Sequence, residues 1–291
     1  MSRPADATVP GRVARGAAGA GLVRRAYRRS PLRRLARVDW THRGLRPDDV
    51  FIASYPRSGN AWLAFIVLEL CGRHATFDSV RFEVPIVGAH SRAPALVPGG
   101  GRFIKTHEQY LPAYRRAIHL VRDPRDVALS YFRFMQREGS LVFRAGDDVD
   151  ATFDTFLGAF IRGRLHPSGT WQGHLRSWLD AAASGNATIL RLRYEDMRAD
   201  PALQVGNIAA WLGFDISSAE AAQVAERCSL ERMRAAERES DPSVFGRVRP
   251  EVAYVGPASV GGWHAALTKE QQHRFAAFDD GLAQMAYEAA L

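Results

Sequence analysis

Residues 49–54 (DVFIAS) form a short apolar run that ends in the turn Tyr55-Pro56-Arg57-Ser58-Gly59 and passes without a break into a helical stretch over 60–71. A strand this apolar has no face to offer water, so it predicts a sheet covered on both sides. The pattern recurs. Residues 102–106 (RFIKT), 117–121 (AIHLV) and 188–192 (TILRL) predict further strands. The run at 117–121 leads into a helix over 124–137, where Pro124 suits the first helical position because its missing N–H would be unpaired there anyway. Helices are also predicted over 171–183, 201–212, 219–226 and 230–239, with a last one after Thr268, whose spacing to Gln271 matches a capping box. Short apolar strands alternating with helices predict one α/β domain, three-layer α/β/α, with a central parallel sheet. Ligands on such sheets bind beyond the carboxyl ends of the strands.

Charge divides the chain in two. The net charge of +8 is concentrated in residues 1–43, which hold eleven arginines against Asp6 and Asp39 and lack sustained apolar periodicity. That segment predicts a basic, disordered arm, and residues 44–291 a single domain that is nearly neutral. A neutral body gives no footprint for specific nucleic-acid binding. Of 39 basic side chains only Lys105 and Lys269 are lysines. Cys71 and Cys228 are too few for a disulfide framework and form no CxxC pair, and no histidines show HExxH spacing, so neither a structural zinc nor another metal is expected. No run approaches the roughly 20 apolar residues that span a bilayer. A cytoplasmic protein is the expectation, and the abundance of Arg and Ala suggests a high-GC bacterial source. The oligomeric state is left open, with a homodimer allowed.

Three segments carry chemistry. The turn at 55–59 presents backbone N–H groups and a helix dipole to an anion, with Arg57 and Ser58 as side-chain donors, yet it is no Walker A loop because GxxxxGK[ST] is absent. The plain alternative is a strand-to-helix turn over a buried Trp62. Lys105 and His107 leave the end of a strand together, a compact cation beside a group that takes a proton near neutral pH. Arg122 ends another strand, and Ser130 lies two helical turns beyond it, placed to share a second phosphate. The plain alternative there is an Arg122–Asp126 surface ion pair and an ordinary helical serine.

Taken together and in this order, the three segments resemble the cytosolic-type sulfotransferase family, which uses 3'-phosphoadenosine 5'-phosphosulfate (PAPS). The resemblance continues through Arg193-Tyr194-Glu195-Asp196-Met197, Cys228-Ser229-Leu230-Glu231-Arg232-Met233 and Gly261-Gly262-Trp263, and covers residues 49 to the C-terminus. It implies a P-loop-like nucleotide-binding fold and a sulfuryl transfer to a hydroxyl or amine of a small-molecule acceptor, with no metal. The resemblance also implies roles: Arg57, Ser58, Gly59, Asn60, Ala61 and Trp62 around the 5'-phosphosulfate, with the Trp62 indole against the adenine. Arg122 and Ser130 would hold the 3'-phosphate, and Tyr194, Cys228, Ser229 and Met233 would complete the adenosine site. His107 would be the general base, with Lys105 and Arg57 neutralising charge at the sulfuryl group and leaving phosphate.

The chain departs from that family's pattern at three places. Arg57 stands where Lys is commoner, Asn60-Ala61 replaces a frequent Thr-Thr pair, and Gly256-Pro257-Ala258 replaces an Arg-Lys-Gly that clamps the 3'-phosphate. Arg247 and Arg249 are the candidates to substitute. Two other readings stay open on the residues alone: an ATP-dependent phosphotransferase and a non-catalytic nucleotide-binding protein. The acceptor pocket is expected from residues 73–101, 131–166 and 235–255, with Phe82, Phe132, Phe134, Phe143, Phe245 and Tyr254 favouring an aromatic or amphiphilic acceptor.

Overall fold

The computed structural model describes residues 37–137, 152–245 and 253–276. The chain divides into two compact units, Met1–Thr41 and His42–Leu291. Of the first, residues 37–41 are described and are helical. The basic arm up to residue 36, the loop at 139–150 with Phe143, and Arg247 and Arg249 lie outside the described residues.

In the second unit the four strands are β1 (Val50–Ser54), β2 (Phe103–Thr106), β3 (Arg116–Val121) and β4 (Thr188–Arg193), in the order β2-β1-β3-β4. Every pairing is parallel, Ile52 lying opposite both Lys105 and Ile118. The helices are α1 (Asn60–Leu70), α2 (Phe77–Glu83), α3 (Pro124–Arg137), α4 (Phe153–Ile161), α5 (Trp171–Ala183), α6 (Tyr194–Ala199), α7 (Pro201–Leu212), α8 (Ser218–Arg227), α9 (Leu230–Glu239), α10 (Trp263–Ala266) and α11 (Lys269–Ala276). A 3-10 turn, His90–Arg92, and a bridge from Ile86 to Lys105 tie the segment after α2 to the β2 edge, where the sequence predicts only a loop.

Alternation along β1 builds the layers. Val50 and Ile52 join Leu63, Val67, Ile208 and Val224 on one face, where α1, α7 and α8 lie. Phe51 and Ala53 join Ile104, Ala117 and Trp178 of α5 on the other. All five β1 residues are buried, as a strand central in a doubly covered sheet requires. Trp178 stacks on both Tyr114 and His119 and donates its indole N–H to the Glu108 carbonyl at 3.1 Å.

The amino end of the sheet is closed by a buried ion pair. Arg102 grips Asp49 with Nε–Oδ1 2.8 Å and Nη2–Oδ2 2.6 Å, and also donates to the carbonyls of His90 and Gly44. Burial pushes the Asp49 carboxyl up, but hydrogen bonds from the Arg102 side chain and the Arg46 N–H outweigh it and hold the group below its usual range. Next to this pair a Cβ on Gly101 would stand 1.8 Å from the Asp48 carbonyl oxygen, so only glycine lets the two backbones approach. With its amino end locked, the sheet leaves its carboxyl end to carry the site.

Candidate active site

The turn from β1 to α1 is shaped by two residues in the left-handed region, Arg57 (φ 71°) and Gly59 (φ 108°). At Gly59 an added Cβ would come within 3.0 Å of both Leu120 Cδ2 and Tyr194 Cδ2. The turn therefore requires glycine there for conformation and for space. It lays the first N–H groups of α1 along a cavity of about 830 Å3 at the carboxyl ends of β1, β2 and β3, within the 300–1,000 Å3 usual for small-ligand sites.

Most of the residues singled out in the sequence converge on this cavity. Arg57, Gly59, Asn60, Ala61 and Trp62 line it from the turn, His107 from the end of β2, and Arg122 and Ser130 from β3 and α3. Tyr194, Cys228 and Met233 line it from α6 and α9 and the residues before α9. Trp62 meets the Tyr194 ring edge to face, with centroids 5.7 Å apart. The cysteine is a buried apolar wall: loss of water pushes its thiol up to about 12.

Three expected residues do not line the cavity: Ser58, Lys105 and Ser229. Ser229 is the N-cap of α9, its hydroxyl accepting the Arg232 N–H. Ser58 is buried, with a hydroxyl that finds no hydrogen-bond partner. Lys105 is half-buried in β2, and its ammonium, stripped of water, is lowered to about 8. Its charge nevertheless reaches His107. Asn60 also differs from expectation, because its amide donates to Ile52 O at 3.0 Å and Ser54 Oγ at 3.1 Å. That side chain fastens α1 to β1, leaving the backbone N–H as the group Asn60 offers an anion.

His107 is set up for proton transfer. Its Nδ1 lies 2.8 Å from the Ser54 carbonyl, which only accepts, so Nδ1 carries the hydrogen and Nε2 the lone pair. Burial lowers the imidazole to about 4, overcoming the Ser54 hydrogen bond, with the charges of Lys105 and Arg57 adding to the push. The ring is therefore neutral at physiological pH. His166, which the sequence gave no reason to select, lines the cavity edge to face with His107, the centroids 6.0 Å apart. Ser168 links them, hydrogen-bonded to His166 Nδ1 at 2.8 Å and donating to the His107 carbonyl.

One wall is a strap, residues 253–259, stitched along its length by charged side chains. Arg57 donates to Tyr254 O (3.0 Å), Arg234 to Gly256 O (3.2 Å) and Arg122 to Ser259 O (2.9 Å). Glu237 accepts the N–H groups of Tyr254 and Val255. Asp126 accepts those of Gly261 and Trp263, at 2.8 and 3.0 Å. Asp126 is thus a buried anchor for the strap rather than the surface partner of Arg122, although burial raises its pKa against these hydrogen bonds and the Arg122 charge. Arg57 also lies over the rings of Phe134 and Tyr254, and Arg122 over Tyr194. The Nε groups of both arginines are buried without a partner. Unsatisfied buried donors at Arg57, Ser58 and Arg122, grouped about a helix N-terminus, fit an anion bearing more than one charged group.

Of the expected acceptor wall, Tyr131, Phe134, His166, Tyr254 and Val255 line the cavity, whereas no residue of 73–101 does and Phe82 is 66% exposed. Phe132 packs instead on Phe153 and Phe156, and Phe245 on Phe77. Among the described residues no group of three or more His, Cys, Asp or Glu is placed to hold a metal ion, and no helix is long and apolar enough to cross a membrane.

Residues 47–286 match the family model described as a sulfotransferase domain. The amine sulfotransferase of Oryctolagus cuniculus is 27% identical over 247 residues, 79% of each chain. Sulfotransferase 1A1 of Canis lupus familiaris is 25% identical over 259 residues, covering 79% of this chain and 81% of its own. Among solved structures, mouse sulfotransferase SULT7A1 complexed with PAP shares the fold at TM-score 0.62 and 24% identity, covering 87% of this chain and 93% of the other. Retinol dehydratase in complex with androsterone and inactive cofactor PAP does so at TM-score 0.68 and 20% identity, covering 86% and 85%.

Proposed function

Because the chain belongs to the sulfotransferase family and is a PAPS-dependent sulfotransferase, we propose that its neutral His107 is the base that deprotonates a small-molecule hydroxyl or amine during sulfuryl transfer. The observation that carries this reading is the His107 hydrogen bond to Ser54 O, which fixes the lone pair on Nε2 in a ring lining the cavity. When bound, the donor supplies the sulfuryl group and a phosphate leaving group. The chain's own residues do the rest. Arg57 and the N–H groups opening α1 orient the phosphosulfate end and stabilise charge there. Lys105 adds its field, which reaches His107. Arg122 and Ser130 hold the second phosphate, and Trp62, Tyr194 and Met233 enclose the adenosine.

The acceptor is a small amphiphilic or aromatic alcohol, phenol or amine, supported by Tyr131, Phe134 and Tyr254 on the cavity wall. A reducing, cytoplasmic location is supported by two cysteines that form no bridge. The test is a PAPS-dependent assay across phenols, alcohols, amines and sugars, following release of adenosine 3',5'-bisphosphate (PAP). Turnover with one of the first three classes is expected. Turnover confined to polysaccharides, or ATP serving as well as PAPS, would overturn the reading.

A further inference from the structure

Residues 162–170 join α4 to α5 in a closed loop. Its ends meet at Gly163 (φ 62°), where an added Cβ would stand 2.6 Å from Thr170 N and 2.7 Å from the Gly169 carbonyl carbon, so the closure depends on glycine. Thr170 is the N-cap of α5, its hydroxyl accepting the Gly173 N–H at 2.9 Å. Three hydrogen bonds then fasten the loop to the chain around His107. Tyr55 donates to Gly169 O at 3.2 Å, Gln109 donates to Ser168 O at 2.9 Å, and the fully buried Ser168 gives its hydroxyl to the His107 carbonyl.

The residue this loop brings to the cavity is His166. Its ring stands edge to face with that of His107, the centroids 6.0 Å apart, and the Leu165 carbonyl just before it lies 3.5 Å from the Tyr131 hydroxyl. His166 is therefore at the acceptor end, beside the base and next to the aromatic wall. The hydroxyl and the N–H of Ser168 both lie against its Nδ1, at 2.8 and 3.2 Å, so the loop occupies one ring nitrogen and Nε2 is the atom through which the imidazole meets a ligand. A few fixed polar groups in a largely apolar pocket orient what binds there. In the reading above one imidazole, His107, takes the proton, and the second stands ready for another polar atom of the same acceptor. Rings 6.0 Å apart are separated by about two hydrogen-bond lengths, a gap that polar groups on neighbouring carbons span. We propose that His166 binds a second hydroxyl of the acceptor, on the carbon next to the one that bears the reacting hydroxyl or amine. It thereby selects vicinal diols and amino alcohols, ortho-diphenols among them, over acceptors with a single polar group. A hydroxyl suits this contact because it both donates and accepts, and so matches either tautomer of the ring. The proposal rests on the reading of His107 as the base.

Catechol and hydroquinone each carry two equivalent hydroxyls and differ in whether the second is next to the reacting one, so their ratio of kcat/KM in a PAPS-dependent assay of the full chain reads the contact. Phenol supplies the reference without a second hydroxyl. In the wild type catechol should exceed hydroquinone at least tenfold, about 1.4 kcal/mol, and in His166→Phe the two should come within about twofold of each other. His166→Gln, whose amide keeps a donor and an acceptor, should recover part of the preference. The Kd for PAP should stay near the wild-type value in both variants, which reports an intact fold. Equal kcat/KM for the two diphenols in the wild type, or a parallel loss on both in His166→Phe, as expected if the ring only buttresses His107, overturns the proposal alone. A wild type that turns over none of the three phenols overturns the acceptor reading together with it.

Discussion

A histidine proposed to take a proton, yet held neutral down to about pH 4, separates two properties that are often confused. Desolvation keeps Nε2 free of a proton throughout the physiological range, so no fraction of the enzyme is lost to the imidazolium form. His107→Ala should lower turnover by about 10² to 10⁴, the usual contribution of a general base, with the Kd for PAP within a few-fold of wild type. A variant with undiminished turnover would remove His107 from that role. The pH dependence of kcat/KM, which reports the free enzyme, should keep its plateau well below 6.5 and bend downward near 4. Lys105, lowered to about 8 by burial, loses its charge on the other side, so the profile should also fall above about pH 8. Lys105→Arg should carry that fall upward, because a guanidinium stays charged; a basic limb that does not move would assign it to another group. The sequence made Lys105 legible by composition alone, as one of two lysines among 39 basic residues. It did not reveal that Lys105 stays out of the cavity lining, since spacing along a strand does not say how deep an end residue sits.

Among the elements, the β1–α1 turn was the most readable, because an apolar run, a Pro/Gly turn and a helical pattern follow one another without a gap. Its geometry gives a sharp prediction. Gly59→Ala places a Cβ at φ 108° within 3.0 Å of Leu120 and Tyr194, so it should destabilise the protein by about 1–3 kcal/mol, the range for strained backbone. It should also weaken PAP binding through the displaced N–H groups; a variant matching wild type in both melting temperature and Kd would show that the turn yields. Elements missed in the sequence were those with weak local signals. The capping box of α2 joins Thr76 to Ser79 in place of the stronger Glu or Gln. α6 spans six residues, too few to display a period. The strap has no periodicity at all, and its order comes from side chains outside it, the nearer Arg234 and Glu237 and the distant Arg57 and Arg122.

Among the described residues of the folded unit, four imidazoles are lowered chiefly by desolvation: His90, His107, His119 and His174. In the unfolded chain they titrate near 6.5. The stability they permit is therefore complete above that value. Below it the unfolded state binds protons that the folded state refuses, and stability falls with pH until the depressed folded values, about 4 for His107 and about 3 for His119, are passed. Urea midpoints should decline steadily from pH 6.5 to 4.5, and His119→Phe, which removes one of these groups, should flatten the decline. A flat profile in the wild type would contradict this account. The parallel sheet itself was fully legible, since apolar runs at four places leave little choice of class, and the boundaries differ from expectation by a residue or so.

The scarcity of lysine gives the desolvated ammonium of Lys105 a practical meaning. Lys269 is exposed on α11. Lys105, lowered to about 8 by burial, is more often uncharged near neutrality than a fully hydrated lysine is. Because Lys105 is not among the residues that line the cavity, acylation should divide the two lysines by access, Lys269 in the native protein and Lys105 only where the fold opens, turning a quirk of composition into a covalent reporter of unfolding.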